Sequence, residues 1–139
     1  MTKISSDPKS IDEHVLQLLI PQEILECFLL TQIIENETEI LFDLKEKETC
    51  LPNELAGKEE VLNGYMNATT LQCFPQKGKQ CYIYLRRRRW KKKGSTDNKS
   101  YHNEYEFTAT GTMATKSFGA FLKRNSLIAT PSHLAQSLQ

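Results

Sequence analysis

QCYIYLRRRRWKKKG, residues 80–94, opens with the alternation of a β-strand and closes on four arginines, a tryptophan and three lysines with no acid among them. Successive side chains of a strand point to opposite faces, so Cys81, Ile83 and Leu85 fall on one side and Tyr82, Tyr84, Arg86, Arg88 and Trp90 on the other. Pro75 and Gly78 predict a turn into this strand. Beyond it, KKKGSTDNKS (91–100) is a long polar loop, and YHNEYEFTAT (101–110) reads as the returning strand. A hairpin centred near Thr96 sets Arg88 opposite Glu104, Arg86 opposite Glu106 and Leu85 opposite Phe107, a register in which charge pairing and apolar packing agree.

Working outward, FLLTQIIENETEILFDLKEKE (28–48) is a second hairpin. Two β-rich runs flank Glu35–Glu37, and Ile40, Phe42 and Leu44 alternate with polar or exposed positions. Pro52, Asn53 and Gly57 mark an irregular acidic connection, and VLNGYMNATTLQCFP (61–75) allows a strand on each side of Asn67. Near the start, Ser10 is placed to cap a helix over 11–20, with Asp12 and Glu13 at its positive end and Ile11, Val15, Leu18 and Leu19 on one face. Pro21 suits the first position of a second short helix that buries Ile24, Leu25 and Phe28. After Gly111 the period changes again: Met113, Phe118, Phe121 and Leu122 suit a helix to about Arg124, with Lys123 and Arg124 at its negative end. A last short helix is expected with Thr130 as cap, Pro131 first, and Leu134 and Leu138 on one side. The expected fold class is α+β: short N-terminal helices, an antiparallel sheet of hairpins, and a C-terminal helix or helices. Residues 1–9 are expected to be a flexible start, 10–125 the domain, and 126–139 a tail with little to pack on.

The totals narrow the function. A chain of 139 residues fits one domain. No apolar run approaches the roughly 18 residues of a membrane span, and the N-terminus turns acidic before a signal-peptide core could form, so a cytoplasmic protein is expected. In that setting Cys27, Cys50, Cys73 and Cys81 are expected as reduced thiols, Cys73 and Cys81 buried. None forms a C-x-x-C pair and His14, His102 and His133 lie far apart, so no metal or other cofactor is expected. No glycine-rich phosphate loop, H-E-x-x-H or G-x-S-x-G occurs, and the acids read as outward-facing, without a two-metal carboxylate constellation. The chain is therefore read as non-enzymatic.

The net charge of +1 conceals a division. Residues 1–60 carry 14 acids against 5 bases, and residues 61–139 carry 13 bases against 3 acids. Between Lys77 and Lys93 there are nine bases and no acid, interleaved with Tyr82, Tyr84 and Trp90. Such a run often marks only a solvated strand edge, which lysines protect from edge-to-edge association. Its density also suits phosphate: several cations held together give affinity, and neighbouring aromatics can stack on bases or support guanidinium groups. On this reading the contact residues are Lys77, Lys79, Arg86, Arg87, Arg88, Arg89, Trp90, Lys91, Lys92 and Lys93. Trp90 is open to either stacking or packing, and Arg86 and Arg88 are at once the more exposed arginines and those Glu104 and Glu106 would neutralise.

LQCFPQKGKQCYIYLRRRRW (71–90) resembles the N-terminal region of bacterial insertion-sequence transposases, in which a DFP-x-x-GK pattern leads through a strand into RRRRW. LLIPQEILECF, ETEILFDLKEKE and YEFTATGTMATKSFGAFLKR follow the same order, so the resemblance spans about residues 16–125. It implies a non-catalytic, DNA-binding front section whose acidic-triad domain lies elsewhere, with transposon ends as the DNA and a catalytic transposase polypeptide as a possible partner. Related transposases hold the equivalent unit with a zinc ribbon. Cys73 and Cys81 stand here without paired C-x-x-C motifs, so a metal-free version is expected. Met113 stands where the pattern has arginine, and the tail resembles the first helix of a helix-turn-helix. Two other classes fit the same residues: a module docking the catalytic polypeptide through its acidic half, or an RNA-binding β-domain stacking bases on Tyr82, Tyr84 and Trp90.

Overall fold

A computed structural model describes residues 2–5, 13–94, 96–97, 99–109, 112–125 and 131–138. The expected caps Ser10 and Thr130, together with Ile11 and Asp12, lie outside the described residues. The fold is α+β. Strands β1 (Thr2–Ser5), β2 (Phe28–Glu35), β3 (Glu39–Glu46), β5 (Thr69–Gln76) and β6 (Lys79–Arg86) form one sheet in the order β1-β2-β3-β6-β5. Strands β4 (Glu60–Tyr65) and β7 (Arg88–Lys92) form a separate two-stranded ribbon. Helices α1 (Glu13–Leu19), α2 (Gln22–Leu25), α3 (Lys116–Arg124) and α4 (His133–Gln136) complete the described elements.

Two tight turns set the register. Asn36 accepts the backbone N–H groups of Thr38 and Glu39 at 2.9 and 2.7 Å, closing β2 onto β3. At the β5–β6 turn Lys77 and Gly78 both have positive φ (54° and 74°), the twist that a two-residue hairpin loop requires. Both hairpins are legible in the sequence. Their junction is not: β3 and β6 run parallel, with Ile40 beside Cys81 and Leu44 beside Leu85, so the sheet is not purely antiparallel.

β3 thereby lies at the centre, and its alternation is lost: Glu39 through Leu44 and Glu46 are buried on both faces. On one face Ile40, Phe42, Leu44, Cys81, Ile83 and Leu85 pack with Leu71, Phe107 and, from the first helices, Ile20 and Ile24. On the other, Ile34, Leu41, Tyr82 and Tyr84 are covered by Leu134 and Ala135 of α4. The alternation expected for residues 81–85 therefore holds, and both faces are covered.

Several expectations are corrected. Thr2–Ser5, expected to be loose, pair with β2. The face of α1 is rotated: Leu16, Leu19 and Ile20 pack inward, while Val15 and Leu18 are exposed. Pro21 stands just before α2 as its cap. Residues 133–136, expected to find little to pack on, dock on the sheet, and Ser132 is their cap, its Oγ accepting Ala135 N–H at 3.2 Å. The α3 region covers the β5 edge: Gln72 N–H donates to Met113 O at 2.8 Å, Thr115 N–H donates to Gln72 O at 2.9 Å, and Phe74 packs on Phe118 and Phe121. No helix among the described residues is long and apolar enough to cross a membrane.

Candidate nucleic-acid interface

The arginine block does not continue β6 in one plane. The ladder breaks at Arg87, and residues 88–92 leave the main sheet to pair with β4, with Leu62 beside Trp90 and Glu60 beside Lys92. The segment 101–107 returns only as an isolated bridge, in which Trp90 and Tyr101 exchange both backbone hydrogen bonds at 2.8 Å. That pairing is one residue away from the register expected from charge matching, and one residue exchanges the faces of a strand.

The charge partners change accordingly. Arg86, expected opposite Glu106, is held by Asp43 through Nε and Nη2, both at 3.2 Å. In the parallel register Asp43 lies beside Tyr84, so Arg86 is its diagonal neighbour on the same face. Arg87 takes Glu104 at 3.1 Å and Asn103 O at 2.9 Å. Arg88 donates from its backbone N–H to Glu46 and from Nε to Glu46 O (2.9 and 2.7 Å). Arg89 donates from Nε to Asn63 O at 2.9 Å, across the β4 bulge where Gly64 has φ +85°. All four arginines clamp the β6–β7 junction to other parts of the fold.

The acids expected to face outward supply much of this clamp. Glu39, Asp43 and Glu46 are buried along β3. Asp43 also accepts Gln32 Nε2, and Glu46 accepts Asn103 Nδ2 at 3.1 Å and the Tyr105 hydroxyl. Burial first, and then the bond to Glu46, pushes the Tyr105 pKa up, so the phenol stays a donor. Glu39 accepts the N–H groups of His133 and Leu134 (3.1 and 3.0 Å), satisfying free donors at the start of α4. A buried carboxylate bound by several donors is stabilising where an unpaired one would be costly.

Trp90 is 6% exposed and packs on Leu55 and Tyr101, which removes it as a base-stacking surface; its indole Nε1 is buried without a hydrogen-bond partner among the described residues. Tyr82 and Tyr84 are likewise buried, so the three rings of the RNA-binding alternative are all in the interior. Lys79 is bound to Glu35 and to Asn36 O. Lys77 is exposed at the β5–β6 turn, at the far end of β6 from the ribbon, roughly 23 Å of strand away.

What remains on the ribbon is lysine. Lys91 has no ion pair among the described residues, and Lys93 makes only an exposed 3.7 Å contact to Glu59. Lys92 and Lys99 place their Nζ atoms 5.5 and 5.1 Å from the centroid of the Tyr101 ring. Lys58, from the connection before β4, joins them, and the neighbouring Lys92 ammonium lowers its pKa. The close approach of Lys58, and then of Tyr101, raises the Lys92 pKa, with Asp97 adding a smaller pull, and Glu60 lies beside Lys92 in the ladder. Sequence does not single out Lys58 and Lys99, because Lys58 sits in the irregular acidic connection and Lys99 in the long polar loop 91–100. Only the ribbon, with Glu59 O accepting the Lys93 N–H at 3.0 Å, draws the two connections together. At the other end of the ribbon, the Tyr65 ring lies near both Lys45 Nζ and Arg88 Cζ, at 5.7 and 5.5 Å.

The four cysteines are free, with Cys73 and Cys81 directly opposite each other on β5 and β6. The thiol pair and burial push Cys73 up, while its hydrogen bond to Cys73 lowers Cys81. Among the described residues no three metal-ligating side chains are gathered. Comparison with known protein families, curated proteins and solved structures finds no match for this chain.

Proposed function

We propose that this chain is a non-catalytic DNA-binding module, the front section of an insertion-sequence transposase, which holds the phosphate backbone of transposon DNA through the lysine end of the β4–β7 ribbon. The observation that carries the reading is the gathering of Lys92 and Lys99 on the Tyr101 ring with Lys58 beside Lys92, and Lys91 and Lys93 alongside. Ammonium groups held close repel one another, and a polyanion relieves that repulsion while releasing its own counterions. The resemblance of residues 71–90 to the transposase pattern supports mobile-element DNA as the target. The contact surface differs from the one expected on sequence: lysines beyond the arginine block carry it, and Arg86–Arg89 position them. The acidic docking alternative is less favoured, because Glu35, Glu39, Asp43 and Glu46 are engaged within the fold.

The test is the salt dependence of binding to a blunt duplex, followed by fluorescence anisotropy. Three to five phosphate contacts give a log–log slope of about −3 to −4.5. Changing Lys58, Lys92 and Lys99 together to serine is expected to flatten that slope by about 3 while the thermal midpoint holds. An unchanged slope in the folded triple variant overturns the reading.

A further inference from the structure

At the opposite end of the ribbon from the lysines, the β4–β5 connection walls an open groove of about 490 Å³ lined by Tyr65, Met66, Asn67, Ala68, Tyr84 and Arg86. The volume falls within the range of small-ligand clefts. Its chemistry is mixed in a particular way. Tyr65 is 39% exposed. Asn67 is exposed and its amide has no hydrogen-bond partner among the described residues. Arg86 lies over Tyr84, with its Cζ 5.2 Å from the ring centroid, and Asp43 holds one side of its guanidinium. Lys45 is half-buried beside Arg86 in the ladder and has no ion pair among the described residues. Asp43, two residues before Lys45 on the same face of β3, is already shared between Arg86 and Gln32.

We propose that this groove binds an adenine nucleotide. The base lies against Tyr65, whose ring also attracts Lys45 and Arg88. The Asn67 amide, a donor beside an acceptor, matches the N6 and N7 edge of adenine. The phosphate sits between Lys45 and the free edge of Arg86, giving Lys45 the counter-charge that the described residues do not supply. No ribbon lysine takes part, so the site stands apart from the duplex contact. The nucleotide could be free, or could be an unpaired adenosine of a DNA strand; Arg88 lies four residues before Lys92, roughly 13 Å along β7, so one strand could span both places.

The test uses deoxyadenosine and deoxycytidine monophosphates, a blunt duplex, and the same duplex with a three-adenosine overhang. Tyr65→Ala is expected to weaken adenine binding about tenfold, with Tyr65→Phe retaining it. Asn67→Ala is expected to remove a preference for adenine over cytosine of about tenfold. If the free nucleotide is the ligand, the monophosphate binds by calorimetry and the overhang adds nothing over the blunt duplex. If the strand is the ligand, the overhang adds about tenfold and the increment vanishes in Tyr65→Ala. The lysine triple variant is expected to lose the blunt duplex and keep the adenine response, so the two sites fail separately. The proposal is overturned if neither monophosphate nor overhang binding responds to Tyr65→Ala in a protein whose circular dichroism shows it folded.

Discussion

Glu46→Gln is the sharpest test of the clamp between β3 and the arginine block. Glu46 is 1% exposed and is acceptor-only in its ionised form. One oxygen takes the Arg88 backbone N–H at 2.9 Å; the other takes Asn103 Nδ2 at 3.1 Å and the Tyr105 hydroxyl. Glutamine keeps the shape but replaces one oxygen with an NH₂ group. If that group takes the Asn103 side, the tyrosine hydroxyl can turn to accept, but two NH₂ groups then face each other. If it takes the other side, it meets the Arg88 N–H. Either way one buried donor is orphaned, at about 1–3 kcal/mol, and the remaining bonds lose their charge assistance. The expected loss is about 3 kcal/mol, which for a chain of this size lowers the thermal midpoint by roughly 10 °C. Urea unfolding followed by circular dichroism measures it directly, and Tyr105→Phe closes a double-mutant cycle with an expected coupling of about 1 kcal/mol. A loss under about 0.5 kcal/mol, or simple additivity with Tyr105→Phe, would refute the argument that Glu46 is the joint.

Changing Arg86–Arg89 together to serine is expected to cost several kcal/mol, on the order of 1 kcal/mol for each lost clamp, whereas Lys91–Lys93 to serine leaves the urea midpoint nearly unchanged and weakens duplex binding. Gly119→Ala would drive its Cβ into that of Ala109, and an overpacked contact of this kind costs about 1–3 kcal/mol on the same unfolding curve. Alkaline stability follows from Tyr105: its folded pKa is raised, so its contribution is complete below the ordinary tyrosine value near 10 and is lost as pH climbs above it. A pH series of midpoints from 9 to 12 is expected to fall less steeply in Tyr105→Phe than in the parent.

Local chemistry alone was enough for much of this fold. The β2–β3 and β5–β6 hairpins, the two faces of residues 81–85 and the helix ending at Arg124 follow from alternation, turn residues and helical spacing, all of which act over a few positions. Alternation does not say whether one face is covered or both, and so it places the buried acids of β3 at the surface. Most of their donors come from 42 or more positions away, in Arg86, Arg88, Asn103, Tyr105 and the start of α4, and the arginines become neighbours only when β6 docks parallel to β3. The same distance hid the site. Arg86–Arg89 stand out because they are consecutive, yet the ladder breaks at Arg87 and turns their guanidinium groups to carbonyls and carboxylates inside the fold. Lys58 and Lys99 are 41 positions apart and unremarkable in sequence, but the β4–β7 ribbon carries both to Tyr101. The sequence determined that the second half is cationic; backbone pairing between distant strands decided which cations are bound inside and which are left for a partner.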